Sequence, residues 1–167
     1  MRRRSIAVAA TIIFTLALAT VALAADPFVG TWKLSVAKSK FPLNRGQRTQ
    51  APPKELTVVI RDTGDQQELT FTGTGMDGSH ISSKGTHPLQ GGVANPEGPA
   101  PGPGRMIVAT VIGPGNVFLT FLQNGKQVIV SRYLISKDGK TMTNTIKHVD
   151  DKGKLYEDEV VRVFDKQ

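Results

Sequence analysis

Cysteine is absent from the 167 residues. That excludes structural disulfides, thiolate metal ligands, a cysteine nucleophile and a cysteine-linked lipid anchor. Packing and sheet hydrogen bonds must hold the fold. Aromatic residues make up only 6%, with a single tryptophan, Trp32. The three histidines, His80, His87 and His148, include no pair at helical ligand spacing, so no metal centre is expected. No serine lies in a nucleophile-elbow sequence, and no triad or carboxylate dyad is visible. The expectation is therefore a protein that is not an enzyme and needs no cofactor. Charge of one sign is not collected anywhere either. The formal balance is +7, with 21 basic against 14 acidic residues, and without Arg2, Arg3 and Arg4 it is 18 against 14, or +4. Scattered basic residues mixed with acids read as solvated surface, and nucleic-acid binding is not expected.

Long hydrophobic runs are also missing, with one exception at the start. Residues Met1 to Ala25 read as a signal peptide: three arginines, an apolar core from Ile6 to Leu23, and the small-x-small site Ala22-Leu23-Ala24. The helix-breaking pair Asp26-Pro27 follows. The apolar stretch is also long enough to serve as an uncleaved anchor. Cleavage would leave a single domain, 26–167, of about 140 residues, enough to bury a proper core. The leader points to export into a bacterial periplasm or the outside of the cell, with no stable membrane span once it is cleaved.

What remains is alternation punctuated by turns. Ala37 to Pro53 is a polar connection interrupted by Pro42, Gly46, Pro52 and Pro53, with room for one helical turn near Ala37 to Lys40. Glu55 to Arg61 sets Leu56, Val58 and Ile60 on one face, and Glu68 to Thr74 aligns Leu69 with Phe71. Ser79 to Lys84 is a polar strand with only Ile81 to bury, fit for a sheet edge or a solvated interior. Gly85 to Gly104 is rich in Gly and Pro and reads as a long surface loop, either a flap over a barrel mouth or a tolerated insertion. Strands then follow at Met106–Ile112, Val117–Leu122, Val128–Ile135, Thr141–Val149 and Leu155–Phe164, separated by turns such as Asn124-Gly125 and Asp138-Gly139. Short turns require antiparallel neighbours. A long sheet with no helices to cover it closes on itself, because closure removes the edges. The expected fold is all-β: a single antiparallel up-and-down β-barrel of about eight to ten strands.

Gly73-Thr74-Gly75-Met76-Asp77-Gly78 matches the dinucleotide pattern G-x-G-x-x-G letter for letter. The mechanism behind that pattern needs a following helix, and Ser79-His80-Ile81-Ser82-Ser83 does not start one, so the segment reads as a glycine-rich hairpin. The acidic run Glu157-Asp158-Glu159 reads as solvated.

Phe28-Val29-Gly30-Thr31-Trp32-Lys33-Leu34 resembles the Gly-x-Trp first strand of the calycins, the lipocalins and fatty-acid-binding proteins, and especially the fatty-acid-binding form. The mature chain also resembles small exported bacterial proteins described as lipocalin-like. The resemblance implies a barrel that binds a small hydrophobic or amphipathic ligand. Fatty-acid-binding proteins carry a two-helix lid after the first strand, for which Ala37 to Pro53 has the wrong composition. They also hold a carboxylate through an Arg-x-Tyr pair on the last strand and an earlier Arg. The matching positions here are Arg162, Phe164 and, for the earlier Arg, Arg132, with Phe164 lacking the tyrosine hydroxyl. A guanidinium inside a barrel is costly unless paired, and a ligand carboxylate supplies a bidentate partner. Alternatively both arginines point outwards, or Arg162 pairs with Asp158.

The expected ligand-binding residues are thus Arg132, Arg162, Phe164, Phe71 and Phe121. The expected partner is a fatty acid, another lipid or an aromatic metabolite. The second reading is a structural or interaction protein of the cell envelope whose barrel is filled by its own side chains.

Overall fold

Leu56, Val58 and Ile60 alternate with Thr57 and Val59, and the pleat sends the first set to one side of the sheet, where all three are buried. The same two-residue period repeats through most of the chain and builds a barrel. The structure is a computed structural model, and it describes residues 26–42, 52–94, 104–150 and 152–167. The leader reading, the middle of the 37–53 connection and residues 95–103 of the Gly/Pro loop lie outside them.

Ten strands form one sheet: β1 (Gly30–Leu34), β2 (Pro53–Asp62), β3 (Gln67–Gly75), β4 (His80–His87), β5 (Gly92–Ala94), β6 (Arg105–Gly113), β7 (Asn116–Gln123), β8 (Lys126–Ile135), β9 (Thr141–His148) and β10 (Val160–Lys166). Their order is β4-β3-β2-β1-β10-β9-β8-β7-β6-β5, with every pairing antiparallel. The first and last strands pair with each other, Leu34 opposite Phe164, which draws the two halves of the meander together. The opening left in this nearly closed barrel lies between β4 and β5. This all-β up-and-down barrel is the architecture that the calycin resemblance of Phe28 to Leu34 implies.

The helical turn is a single 3-10 turn at Val36–Lys38, and Lys40 then bridges to Val161 of β10. Two segments differ from the sequence reading. Strand β4 continues through Gly85, Thr86 and His87, and Gly92–Ala94 forms β5, so the first half of the Gly/Pro segment carries strand at two places. Both are edge strands, where glycine and uneven pairing are tolerated. The last strand begins at Val160, not Leu155. Asp150 Oδ1 accepts from the backbone of Lys152 and Lys154, which holds a tight turn, and Tyr156 N–H donates to the His148 carbonyl. Glu157 and Asp158 stay exposed beyond that turn.

Trp32 is fully buried in the core cluster. Its indole Nε1 donates to the Phe28 carbonyl at 2.8 Å, which meets the hydrogen-bond demand of a buried tryptophan. Lys166 Nζ lies 5.0 Å from its ring centroid, a cation–π contact from the end of the chain. Gly30 has φ +141°, a backbone conformation that disfavours a side chain, and a Cβ there would come within 2.9 Å of Lys166 Cε. Gly-x-Trp therefore locks the chain's start against its last strand. A polar lock lies beside it. Asp26 accepts from Gln67 Nε2 (2.9 Å) and Gln90 Nε2 (3.1 Å), while the Gln67 carbonyl accepts from Leu89 N–H (2.8 Å). This ties the turn between β4 and β5 to the leading segment.

Candidate functional site

The pairing of β10 with β9 sets which side chains face inward. Phe164 lies opposite Met142, and both are buried in the core. Arg162, two residues earlier, therefore also faces the interior, opposite Asn144, which in turn lies opposite Tyr133 of β8. Arg162, Asn144 and Tyr133 form a polar row across three strands. Asn144 Nδ2 donates to Ser131 Oγ at 2.6 Å, so the centre of the row is satisfied within the protein.

Arg162 is not satisfied. Its Nε is buried, and no described group accepts from it. Burial works against its charge and lowers its pKa, an effect partly opposed by Tyr133. The Tyr133 phenol is pushed up to about 12 by burial, against the influence of Arg162, so it is a neutral hydroxyl at physiological pH. His148 also lies on the inward side of β9, and its pKa is lowered by burial and then by Arg162. The interior here already carries a cation and disfavours another.

Arg162 lines a cavity of about 210 Å³. The other polar side chain that lines it is Ser83, on edge strand β4. The remaining lining residues are apolar: Leu56 and Pro53 from β2, Phe71 from β3, Ile81 from β4, and Phe41, beside the Lys40–Val161 bridge. Chemically this is a partly open recess, walled largely by apolar residues, with an unspent cationic donor. Among the described residues no group of three or more His, Asp or Glu comes together to hold a metal.

The structure brings only some of the sequence-selected residues together. Arg162 and Phe71 line the cavity. Phe164 and Phe121 lie on the inner side but do not line it: Phe164 is buried in the core, and Phe121 meets the His87 ring edge-on at 5.8 Å between centroids. Arg132 points the other way. Its neighbours Ser131 and Tyr133 are the buried ones, and its guanidinium packs over the outer-face Phe118 ring at 5.3 Å, with Nε donating to Asn116 Oδ1 at 3.0 Å. It cannot share an interior ligand with Arg162. Asp158 makes no ion pair with Arg162, because β10 begins two residues after it. The glycine-rich hexapeptide forms the end of β3 and the turn into β4, with Gly78 at φ +81° and no helix after it. Sequence reasoning missed Phe41, Ser83, Tyr133 and His148. Only the polar alternation of β4 hinted at one of them, Ser83.

The geometry defines a class: a nearly closed antiparallel barrel with a partly open cavity of mixed lining and a buried cation. No family model matches the chain, and no curated protein matches it. Among solved structures it is similar to zebrafish ileal bile acid-binding protein complexed with cholic acid, at 14% identity and a TM-score of 0.46, over 84% of this chain and 99% of that one. A likeness at that level transfers no residue role to this chain.

Proposed function

We propose that the protein is an exported, non-catalytic binding protein for a small amphipathic acid, held inside the barrel with its anionic group on Arg162. The observation that carries the reading is the buried Arg162 Nε without an acceptor among the described residues, beside an apolar cavity. A buried guanidinium keeps its charge and is costly without a counter-charge. A carboxylate, sulfate ester or phosphate ester would supply one, with bidentate geometry available. Apolar burial against Phe71, Leu56 and Ile81 would add about 25 cal/mol for each Å² removed from water. Export rests on the arginine-led apolar leader and its alanine site.

The test is calorimetric titration of the mature protein with matched acids and their neutral amides. Acids should bind and amides should bind at least about tenfold more weakly, the worth of one charge-assisted hydrogen bond. Equal affinities would remove Arg162 from the site. The filled-barrel reading stays in play for one reason: 210 Å³ falls below the roughly 300 Å³ at which drug-sized sites begin. It predicts that no acid binds at all.

A further inference from the structure

The cavity is polar at two poles. Arg162 enters from β10, and Ser83 lines it from β4, the far edge of the sheet, four strands away in the sheet order. The Ser83 hydroxyl is engaged by no described group. Its inward direction is fixed by pairing: Ser83 lies opposite Phe71, and Ile81, two residues before it, is packed on the core. A hydroxyl at the end of an otherwise apolar wall has donor and acceptor capacity left over. No hydrogen bond joins it to the guanidinium, and the other residues lining the cavity, Leu56, Phe71 and Ile81 among them, are apolar.

A molecule that matches this wall has three parts in order: an anion, a compact apolar body, and a neutral hydrogen-bonding group at the other end. We propose that the ligand class is a compact hydroxylated carboxylic acid, a hydroxyaryl-alkanoic acid in particular, with its carboxylate on Arg162 and its hydroxyl on Ser83. The inference rests on the binding reading above and narrows it. Size agrees. A volume of about 210 Å³ corresponds to about seven water volumes, room for an acid of roughly ten non-hydrogen atoms. One aromatic ring with a short acid arm fills that space. A simple fatty acid would leave Ser83 facing methylene groups and lose its hydrogen bonds to water, a penalty that selects against it.

The experiment is a titration of two acids that differ by one hydroxyl, 3-(4-hydroxyphenyl)propanoic acid and 3-phenylpropanoic acid, together with the amide of the first. Each is run against the wild type, Ser83→Ala and Arg162→Met. The wild type should hold the hydroxylated acid about 3- to 10-fold more tightly than the plain one, the range for one neutral hydrogen bond. Ser83→Ala should abolish that preference by weakening the hydroxylated acid and, with the unmet hydroxyl gone, should hold the plain acid at least as tightly as the wild type does. Equal binding of the two acids by the wild type, or a preference that survives Ser83→Ala, overturns the Ser83 assignment and leaves the anion site standing. If neither acid binds, or if Arg162→Met leaves both affinities unchanged in a folded protein, the anion site fails and this proposal with it. The ligand series in the wild type needs no variant to fold.

Discussion

Replacing Arg162 by methionine should make the empty protein more stable and the ligand-binding protein useless. Methionine matches the unbranched stem of the side chain and fits flexibly into an irregular space, while it removes the guanidinium and its charge. In the wild type the guanidinium is removed from much of its water, and its Nε finds no described acceptor. Burial lowers its pKa, so the fold destabilises a charge that the guanidinium nonetheless keeps. Exchanging buried ionic groups for apolar ones of similar volume is commonly neutral or stabilising by about 1–4 kcal/mol. Part of Arg162 reaches a cavity that is partly open to solvent, which places the expectation in the lower half, about 1–2 kcal/mol. For a domain of this size that is a rise in melting temperature of roughly 3–8 °C.

Trp32 makes the assay direct. It is the only tryptophan and is fully buried, so its emission reports the loss of the core. Urea unfolding followed by that signal should shift to a higher midpoint in Arg162→Met with an unchanged slope. Adding an acid ligand should raise the wild-type midpoint and leave the variant's where it was, since a ligand stabilises only a state that binds it. Arg132→Met is the control: that side chain stacks on Phe118 on the outer face, so its loss should change neither ligand response nor the sign of the stability comparison. A lower midpoint for Arg162→Met would refute the reasoning. It would mean that the guanidinium is paired within the protein and stabilises the barrel, leaving no donor for a ligand.

Burial pushes His87 down to about 4 and leaves its Nδ1 without a described partner, so the folded protein holds it neutral where the unfolded chain, near 6.5, takes a proton. Stability is therefore full above about pH 7 and falls as the pH drops from 6.5 towards 4, by about 3 kcal/mol in total. His87→Leu should remove that part of the decline in urea midpoints measured between pH 7 and 4; an unchanged decline would show that His87 is solvated. Gln67→Leu deletes the acceptor for Leu89 N–H and one donor to Asp26, leaving Leu89 only the His87 carbonyl. A loss of about 1–2 kcal/mol is expected, with faster amide exchange at Leu89 than at Leu119 as the local readout. Gly73→Ala should cost about 1–3 kcal/mol in urea unfolding, because a Cβ there would run into the Glu55 carbonyl oxygen at the β2 bulge; an unaffected midpoint would mean that the bulge relaxes at no cost.

The barrel was legible because its turns are short and its strands alternate. Leu56, Val58 and Ile60 needed only the two-residue period to be assigned to the inside. The candidate site was harder because β8 and β10, the strands that carry the two arginines, have apolar residues on both sides. In Val128-Ile129-Val130-Ser131-Arg132-Tyr133-Leu134-Ile135 either set could be the inner one, and a shift by one residue exchanges them. The choice is made by neighbours, with Tyr133 opposite Val117 on one side and Asn144 on the other. That is why Arg132 looked equivalent to Arg162 in the sequence and is not. Arg162 is distinguished by Phe164 meeting Leu34 at the seam between the first and last strands, a contact between residues far apart in the chain. Phe41 and Ser83 were harder to place for a different reason. Each belongs to a segment with little apolar content, and only the curvature of the sheet brings them to one wall.

The interior is divided into two parts with opposite energetic logic. Trp32, Phe164, Leu69, Leu119 and Met142 are fully or almost fully buried, and the indole N–H among them is satisfied. Around Arg162 the packing stops, leaving about 210 Å³ and an unmatched cation. At about 24 cal/mol per Å³, leaving that space without side chains forgoes at most about 5 kcal/mol, an upper limit because the polar poles admit water. Typical domains are stable by only about 5–15 kcal/mol in all. A barrel built solely to be filled would remove this cost with a leucine at position 162 and a valine at position 83. Neither residue is there. The two groups that prevent the cavity from closing are the two that a hydroxylated acid would need, so the cost of the space and the specificity of the site have the same origin.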